Sequence, residues 1–177
     1  MHILILGMTE SGKSNAGKVL IETMRKRGIK SIVLDPLKDP SFNADFQTDN
    51  PDHFINVVFG DARKCLVIVD ESGEAIGRYN TTMNQLATRG RHWGHTCVFI
   101  CQKAVQIAPI IRDQCGAVFM FCSGKPSGKM IGEEFNSDKF LDCTKLRRGE
   151  YLYKTRFSDI VEGNVFDDLK SVGLYRK

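Results

Sequence analysis

The residues from Gly7 to Ser14, GMTESGKS, follow the spacing GxxxxGK[ST]. They come directly after an apolar run, His2–Leu6, and overlap the start of helical periodicity over Lys13–Arg27. Glycines let a backbone wrap closely around phosphate, and successive amides at a helix N-terminus offer it positive potential. The motif and its flanks therefore predict a phosphate-binding loop, or P-loop, between a buried strand and a helix.

Each residue of this loop has an expected contact. We expect Lys13 to bridge the β- and γ-phosphates of ATP and the Ser14 hydroxyl to bind Mg²⁺. The residues predicted to contact the nucleotide are Gly7, Met8, Thr9, Glu10, Ser11, Gly12, Lys13, Ser14 and Asn15. A similar stretch, Gly124–Lys129, has glycines too closely spaced and Met130 in place of the hydroxyl. We interpret it as a mobile basic loop.

Further short apolar runs alternate with helical segments along the chain. Strands are predicted at Ser31–Leu34, Cys65–Val69, Thr96–Cys101 and Ala117–Phe121, and helices at Pro51–Phe59, Tyr79–Arg91 and from Pro109 onward. This alternation predicts an α/β fold with a mainly parallel sheet and helices on both faces. We expect one domain, with a core over residues 1–125 and an extension over 126–177 that contains a strand within Gly149–Phe157.

In such a sheet, ligands bind at the carboxyl ends of the strands. The residues that follow predicted strands are Gly7, Asp35, Asp70, Glu71 and Gln102, so we expect them to meet at one edge.

The composition excludes several classes of protein. With 42% hydrophobic and 26% charged residues the chain is not expected to be disordered, and a net charge of +4 permits a nucleic-acid partner without arguing for one. Six cysteines without a CxxC pair indicate reduced, buried thiols. His92 and His95 have no neighbouring ligand residues, so we predict no metal site there. No signal peptide and no transmembrane segment are predicted.

The run Leu66–Val69 followed by Asp70 and Glu71 has the form of a Walker B strand. We expect Asp70 to hold the Mg²⁺ shell and Glu71 to act as general base on the attacking water. A buried strand that ends in two exposed acids is the alternative, and the P-loop earlier in the chain favours the catalytic interpretation. The adjacent glutamate also argues against most nucleotide kinases and GTPases, and it indicates ATP hydrolysis coupled to work.

Gln102 ends the fourth predicted strand and fits a sensor that bonds the γ-phosphate or the lytic water. Three arginines can neutralise charge in the transition state when a neighbouring subunit supplies them, namely Arg89, Arg91 and Arg112. We favour Arg91 or Arg89 for this role.

These residues together resemble the FtsK–HerA superfamily of DNA-pumping ATPases, and in particular the genome-packaging ATPases of membrane-containing icosahedral viruses and phages. The resemblance rests on the P-loop, on Asp35-Pro36, on Val69-Asp70-Glu71, and on Thr88–His92 leading to Gln102 and then Ile110-Ile111-Arg112. It covers residues 1–125.

The resemblance implies a RecA-like (ASCE) sheet, whose predicted strands stand in the order 5-1-4-3-2, and a homo-oligomeric ring of five or six subunits with ATP between them. It also implies double-stranded DNA in the central channel, capsid or portal-vertex proteins as partners, and a place in the host cytoplasm and at the packaging vertex of the virion. By position, the DNA-facing segments are Ser72–Thr82, Lys103–Ala108 and Gly124–Lys129, whose lysines and Arg78 would contact phosphates.

Several functions fit these patterns. The first is an ATP-driven translocase that packages a double-stranded viral genome into a preformed capsid. A plasmid- or host-encoded DNA pump and a filamentous-phage assembly ATPase share its mechanism. A small-molecule kinase is a different class and needs an arginine-rich lid, where Ser123–Lys129 offers lysines. A nucleotide-gated binding module with little turnover is a third class.

Overall fold

The computed structural model describes residues 1–70 and 84–174. Its strands are β1 (His2–Leu6), β2 (Ser31–Leu34), β3 (Phe46–Thr48), β4 (Leu66–Val69), β5 (Thr96–Cys101), β6 (Cys115–Phe121), β7 (Glu150–Thr155) and β8 (Val161–Asn164). The described part of the chain forms one sheet of eight strands in the order β3-β2-β4-β5-β1-β6-β7-β8. Pairing is parallel from β3 to β6 and antiparallel from β6 through β7 to β8.

The helices are α1 (Lys13–Arg25), α2 (Pro51–Phe59), α3 (residues 84–89), α4 (Pro109–Gln114), α5 (Lys125–Phe135) and α6 (Val165–Val172). Short 3-10 segments lie at Pro40–Phe42, Gly90–Trp93, Ala104–Gln106 and Asp138–Lys145. None of the helices within the described ranges is long and apolar enough to cross a membrane.

Two hydrophobic layers enclose the sheet. Alternate side chains of β1 point to opposite faces, so Leu4 and Leu6 join a core with Phe54 of α2, while Ile5 joins a second core with Ile21 of α1. Every residue of β1, β2 and β4 is buried, as expected for parallel strands covered on both sides. The predicted α/β fold is thereby confirmed.

The five predicted core strands stand in the predicted order, which corresponds here to β6-β1-β5-β4-β2. The sheet differs from the prediction at its two margins. β3 adds an unpredicted parallel strand beyond β2, and β7 and β8 add an antiparallel pair beyond β6. The expected strand within Gly149–Phe157 is β7. Of the helix predicted over Tyr79–Arg91, residues 84–89 are helical and Gly90–Trp93 is a 3-10 turn, while residues 79–83 lie outside the described ranges.

The interpretation of Gly124–Lys129 as a mobile loop is wrong, because this segment forms the first turns of α5. Pro126 lies in the first turn, where its missing N–H costs nothing. The glycine at 128 serves helix packing: a Cβ there would lie 2.7 Å from the carbonyl oxygen of Phe140. Its composition resembles that of a loop, but the close approach of the 3-10 segment Asp138–Lys145 requires a residue without a side chain.

The cysteines and two of the histidines have structural roles in the fold. All six cysteines are free, and five of them are buried. His95 uses both ring nitrogens on the backbone, since Nδ1 accepts from the N–H of Cys65 (3.1 Å) and Nε2 lies 2.9 Å from the carbonyl oxygen of Val58. His2 is fully buried and accepts the N–H of Cys97 at Nδ1 (3.0 Å). Both rings are therefore built into the fold in their neutral forms.

These histidines make stability depend on pH. Burial lowers the pKa of His2 from 6.5 to about 4, with help from the N-terminal amino group and Arg91, and burial also lowers the pKa of His95. Between pH 6.5 and about 4 the unfolded chain binds more protons than the folded one at His2, so the free energy of unfolding falls as pH falls through this window. The lowered pKa of His2 corresponds to a loss of folding stability on the order of 3 kcal/mol across this pH range.

Chemical denaturation of His2→Asn at a series of pH values tests this. Asparagine keeps an acceptor for the N–H of Cys97 but does not titrate, so the loss of stability between pH 6.5 and 4 should become shallower than in the wild type. His92→Asn, the same substitution at an exposed histidine, is the matched control. Equal slopes for both variants would contradict the assignment.

Candidate nucleotide-binding site

The P-loop joins β1 to α1, and two of its glycines are required by its geometry. A Cβ on Gly7 would lie 2.6 Å from both Cβ of Phe121 and Oγ of Ser11, so no side chain fits there. Gly12 has a φ of 118°, a conformation that only glycine adopts without strain. The glycines of the motif are therefore required by the backbone conformation of the loop, because a side chain at either position would distort it.

The loop is attached to the sheet on both flanks. The N–H of Gly7 donates to the carbonyl of Cys101 at the end of β5 (3.3 Å), and the N–H of Met8 donates to the carbonyl of Cys122 after β6 (2.8 Å). Gly12 is the N-cap of α1, and no side chain of the described residues caps this helix. The first amides of α1 thus face the loop without a side-chain acceptor, which is the arrangement that binds anions.

Lys13, Ser14 and Asp70 meet at the mouth of the loop. The hydroxyl of Ser14 donates to Oδ2 of Asp70 across 3.1 Å, although the two residues are 56 positions apart. Lys13 folds back over the loop, where Nζ donates to the carbonyl of Met8 (2.8 Å). Asp70 is nearly buried at 7% exposure. A hydroxyl and a carboxylate oxygen side by side can hold Mg²⁺, and a lysine beside amide donors can hold phosphate.

Other predicted residues occupy the same sheet edge. Gln102 follows β5, which lies between β1 and β4, so it stands between the P-loop and Asp70 as expected. Asp35 also ends a strand at this edge, but its carboxylate is engaged in a turn, accepting from the N–H of Leu37 (2.9 Å) and Nε2 of Gln47 (3.0 Å). It therefore holds β3 in place. Glu71 lies outside the described residues.

Two residues that the sequence did not single out line the loop. Arg148 and Phe166 border a cavity of about 150 Å³ whose other walls include Gly12, Lys13 and Ser14. They reach it because the N–H of Gly149 donates to the carbonyl of Ser11 across 2.9 Å. No motif surrounds either residue, so the sequence carried no signal for them.

The three candidate arginines lie away from the P-loop of their own chain. Arg91 precedes β5 at the amino-terminal edge of the sheet, where its guanidinium donates to the carbonyl (3.1 Å) and Oε1 (3.0 Å) of Gln114. Arg89 lies over the ring of Trp93, 6.0 Å from its centroid. Arg112 is nearly buried and structural: it pairs with Glu134 (3.0 Å) and donates to backbone carbonyls.

The segments expected to face DNA are partly described. Ser72–Thr82, with Arg78, lies outside the described ranges. Lys103–Ala108 and Gly124–Lys129 adjoin each other at the carboxyl edge of the sheet, where the N–H of Ala104 donates to Oγ of Ser127 (3.2 Å). Their lysines, at positions 103, 125 and 129, are all exposed. The structure thus joins two separate basic segments into one surface.

Comparisons with known proteins agree with this geometry. The family model for the central domain of helicase HerA matches residues 1–39, which include β1, the P-loop and β2. No functionally curated sequence matches the chain.

Among solved structures, the genome packaging NTPase B204 from Sulfolobus turreted icosahedral virus 2, in complex with AMPPCP, is similar with a TM-score of 0.72 and 16% identity, over 92% of this chain and 96% of that one. VirB4 of Thermoanaerobacter pseudethanolicus has a TM-score of 0.69 at 11% identity, over 92% and 88% of the two chains. The pCW3 conjugation coupling protein TcpA has a TM-score of 0.65 at 17% identity, over 96% of this chain and 61% of that one.

The segment matched by the HerA model contains the P-loop, and the likeness to the packaging NTPase covers 92% of this chain. The predicted resemblance to the FtsK–HerA superfamily is thus confirmed over residues 1–39 by the HerA model, and the solved structures share the fold of the chain.

Proposed function

We propose that this protein is an ATP-hydrolysing DNA translocase that packages a double-stranded viral genome into a preformed capsid. The observation that carries the proposal is the contact of Ser14 with Asp70 at the mouth of a glycine-dependent loop. A phosphate-binding loop alone binds nucleotide. A carboxylate brought to its serine provides the metal-binding half that hydrolysis requires.

The residues divide the chemistry among them. The loop amides and Lys13 bind the β- and γ-phosphates, while Ser14 and Asp70 hold Mg²⁺, which neutralises charge on the phosphate oxygens when bound. Glu71 is the general base that takes a proton from the attacking water, and Gln102 orients that water or the γ-phosphate. The binding residues at Met8, Thr9, Glu10, Ser11 and Asn15 complete the loop around the polyphosphate.

The DNA-handling role is supported by the surface beside the site. Lys103, Lys125 and Lys129 lie on segments that directly follow β5 and β6, the strands on either side of the P-loop strand. Each of these lysines is therefore separated from the P-loop strand by a single neighbouring strand. Lysines contact phosphates without reading bases, which suits a protein that moves DNA of any sequence.

Genome packaging is supported by the similarity to the packaging NTPase, which has a TM-score of 0.72 with this chain, against 0.69 for VirB4 and 0.65 for the conjugation coupling protein. Under this proposal the active form is a homo-oligomeric ring, a pentamer or hexamer, docked on capsid or portal-vertex proteins in the host cytoplasm and in the virion.

Glu71→Gln should abolish hydrolysis but leave binding intact. Removing a general base lowers kcat by roughly 100-fold or more, while the loop and Lys13 still hold ATP. The measurement is phosphate release with and without duplex DNA, alongside ATP affinity by calorimetry. Glu133→Gln, at an exposed glutamate of α5, is the matched control and should behave as the wild type. Transfer of phosphate to a small acceptor, or no turnover by the wild type, would contradict the proposal that the protein is a translocase.

Lys103→Gln combined with Lys129→Gln should weaken binding to duplex DNA of any sequence. Log affinity falls with log salt concentration, and each lost phosphate contact makes this dependence shallower by about 0.9. The magnitude of the slope should therefore decrease by up to about 2. Fluorescence anisotropy over a salt series measures this. Lys30→Gln with Lys64→Gln removes two exposed charges from the other end of the sheet and is the control. An unchanged slope in the first pair would remove these segments from the DNA surface.

Arg91→Ala and Lys13→Ala should each be inactive alone and should recover hydrolysis when mixed. Arg91 lies at the edge of the sheet opposite its own P-loop, so it can act only on ATP bound by a neighbour. In mixed rings some interfaces combine an intact loop with an intact arginine. Steady-state hydrolysis against mixing ratio is the measurement, and Arg89→Ala is tested in the same way. If no mixture regains activity, an arginine supplied in trans at these positions is ruled out.

A further inference from the structure

The C-terminal segment (residues 126–177) forms one wall of the P-loop cavity. No role in phosphate binding has been assigned to this wall. Arg148 and Phe166 face the same cavity as Gly12, Lys13 and Ser14. Its volume of about 150 Å³ is below the ~300 Å³ typical of a site that encloses a whole ligand. The cavity therefore does not enclose a whole ATP molecule, and Arg148 and Phe166 are the part of its wall that comes from outside the loop.

The backbone that carries this wall is bonded to the loop itself. Gly149, with a φ of 88°, donates its N–H to the carbonyl of Ser11 (2.9 Å) and accepts the N–H of Val165 at its own carbonyl (2.8 Å). Val165 in turn packs against the loop, since a Cβ on Gly12 would lie 3.0 Å from its Cγ1. The C-terminal segment and the P-loop therefore form one hydrogen-bonded unit.

Phe166 has a defined position on this unit. The side chain of Asn164 caps α6 by accepting the N–H of Phe166 (3.0 Å), which fixes the start of the helix. A Cβ at position 149 would lie 2.4 Å from Cε2 of the Phe166 ring, so glycine there lets the ring lie directly over the backbone beside the loop. The ring is half-buried, and its remaining surface borders the cavity.

Arg148 supplies the charge. Its side chain is exposed, and within residues 1–70 and 84–174 it forms no hydrogen bond or ion pair. A guanidinium left uncommitted at the rim of a phosphate site matches an anionic or aromatic ligand.

We propose that the C-terminal segment recognises the nucleoside end of the nucleotide, with Phe166 stacking on the base and Arg148 contacting the base and the adjacent sugar. This rests on the proposed binding of ATP by the P-loop and extends it from the polyphosphate to the whole ligand. The loop binds what every nucleoside triphosphate shares. The Arg148–Phe166 wall makes the site prefer a nucleoside triphosphate over a bare polyphosphate.

Calorimetry with two ligands, ATP and inorganic tripolyphosphate, each with Mg²⁺, tests the proposal. Both ligands engage the loop, but only ATP reaches the wall, so the ratio of their dissociation constants reports the wall alone. The wild type should favour ATP. Stacking of a base on an aromatic ring changes affinity by roughly 10-fold. Phe166→Leu should therefore weaken the binding of ATP by that factor and leave the affinity for tripolyphosphate unchanged. Arg148→Gln should weaken ATP in the same direction.

Two controls separate recognition from packing. Phe166→Tyr keeps the ring and should restore the wild-type ratio of the two dissociation constants. If Phe166 has a purely structural role, Phe166→Leu should lower the affinities for both ligands by the same factor. Arg147→Gln removes an exposed arginine that does not border the cavity and should leave both affinities unchanged. Thermal unfolding of each variant identifies any that fail to fold, and the remaining variant of the pair then carries the test.

The outcomes also distinguish this inference from the proposed function. Equal affinity of the wild type for both ligands, or an unchanged ratio in Phe166→Leu and Arg148→Gln, would overturn the nucleoside wall and leave DNA-stimulated hydrolysis standing. Failure of the wild type to bind either ligand would overturn the proposed function, and the wall with it. A fall in tripolyphosphate affinity equal to that of ATP would assign the two residues to the fold alone.

Discussion

The site depends on the pairing of β1 with parallel neighbours on both sides, β5 and β6. This pairing gives the carboxyl end of β1 fixed surroundings, so the N–H groups of Gly7 and Met8 are already bonded to Cys101 and Cys122 at the flanks of the loop. A loop held in this way loses little conformational entropy when a ligand binds. Asp70, which follows β4, and Gln102, which follows β5, are then placed relative to the loop by the register of the same sheet.

Much of this centre could be predicted because its signals are local. Parallel strands buried on both faces form continuous apolar runs, and the motif that follows His2–Leu6 requires particular residues at fixed spacing. The strand order came from the resemblance. β3 was missed because three residues carry no pattern, and its position depends on the bond from Gln47 to Asp35, twelve residues earlier. Such a contact exists only once the chain has folded.

The C-terminal half of the site could not be predicted for a related reason. Gly124–Lys129 has the composition of a loop, yet its glycine at 128 is needed where Phe140 approaches the helix. Arg148 and Phe166 reach the nucleotide cavity only because Gly149 returns the chain to Ser11. Single residues brought together by tertiary contacts leave no periodic or motif signal. Glu71 has such a signal, and its role stays a prediction because it lies outside the described residues.

The buried guanidinium of Arg112 has a mechanical consequence. It donates to the carbonyls of Ala104 and Ile107 and is paired with the partly exposed Glu134 of α5. One side chain of α4 therefore ties the turn that follows Lys103 to both α4 and α5. Under the proposed DNA translocation, a force on Lys103 would be carried into these two helices through the bonds of Arg112.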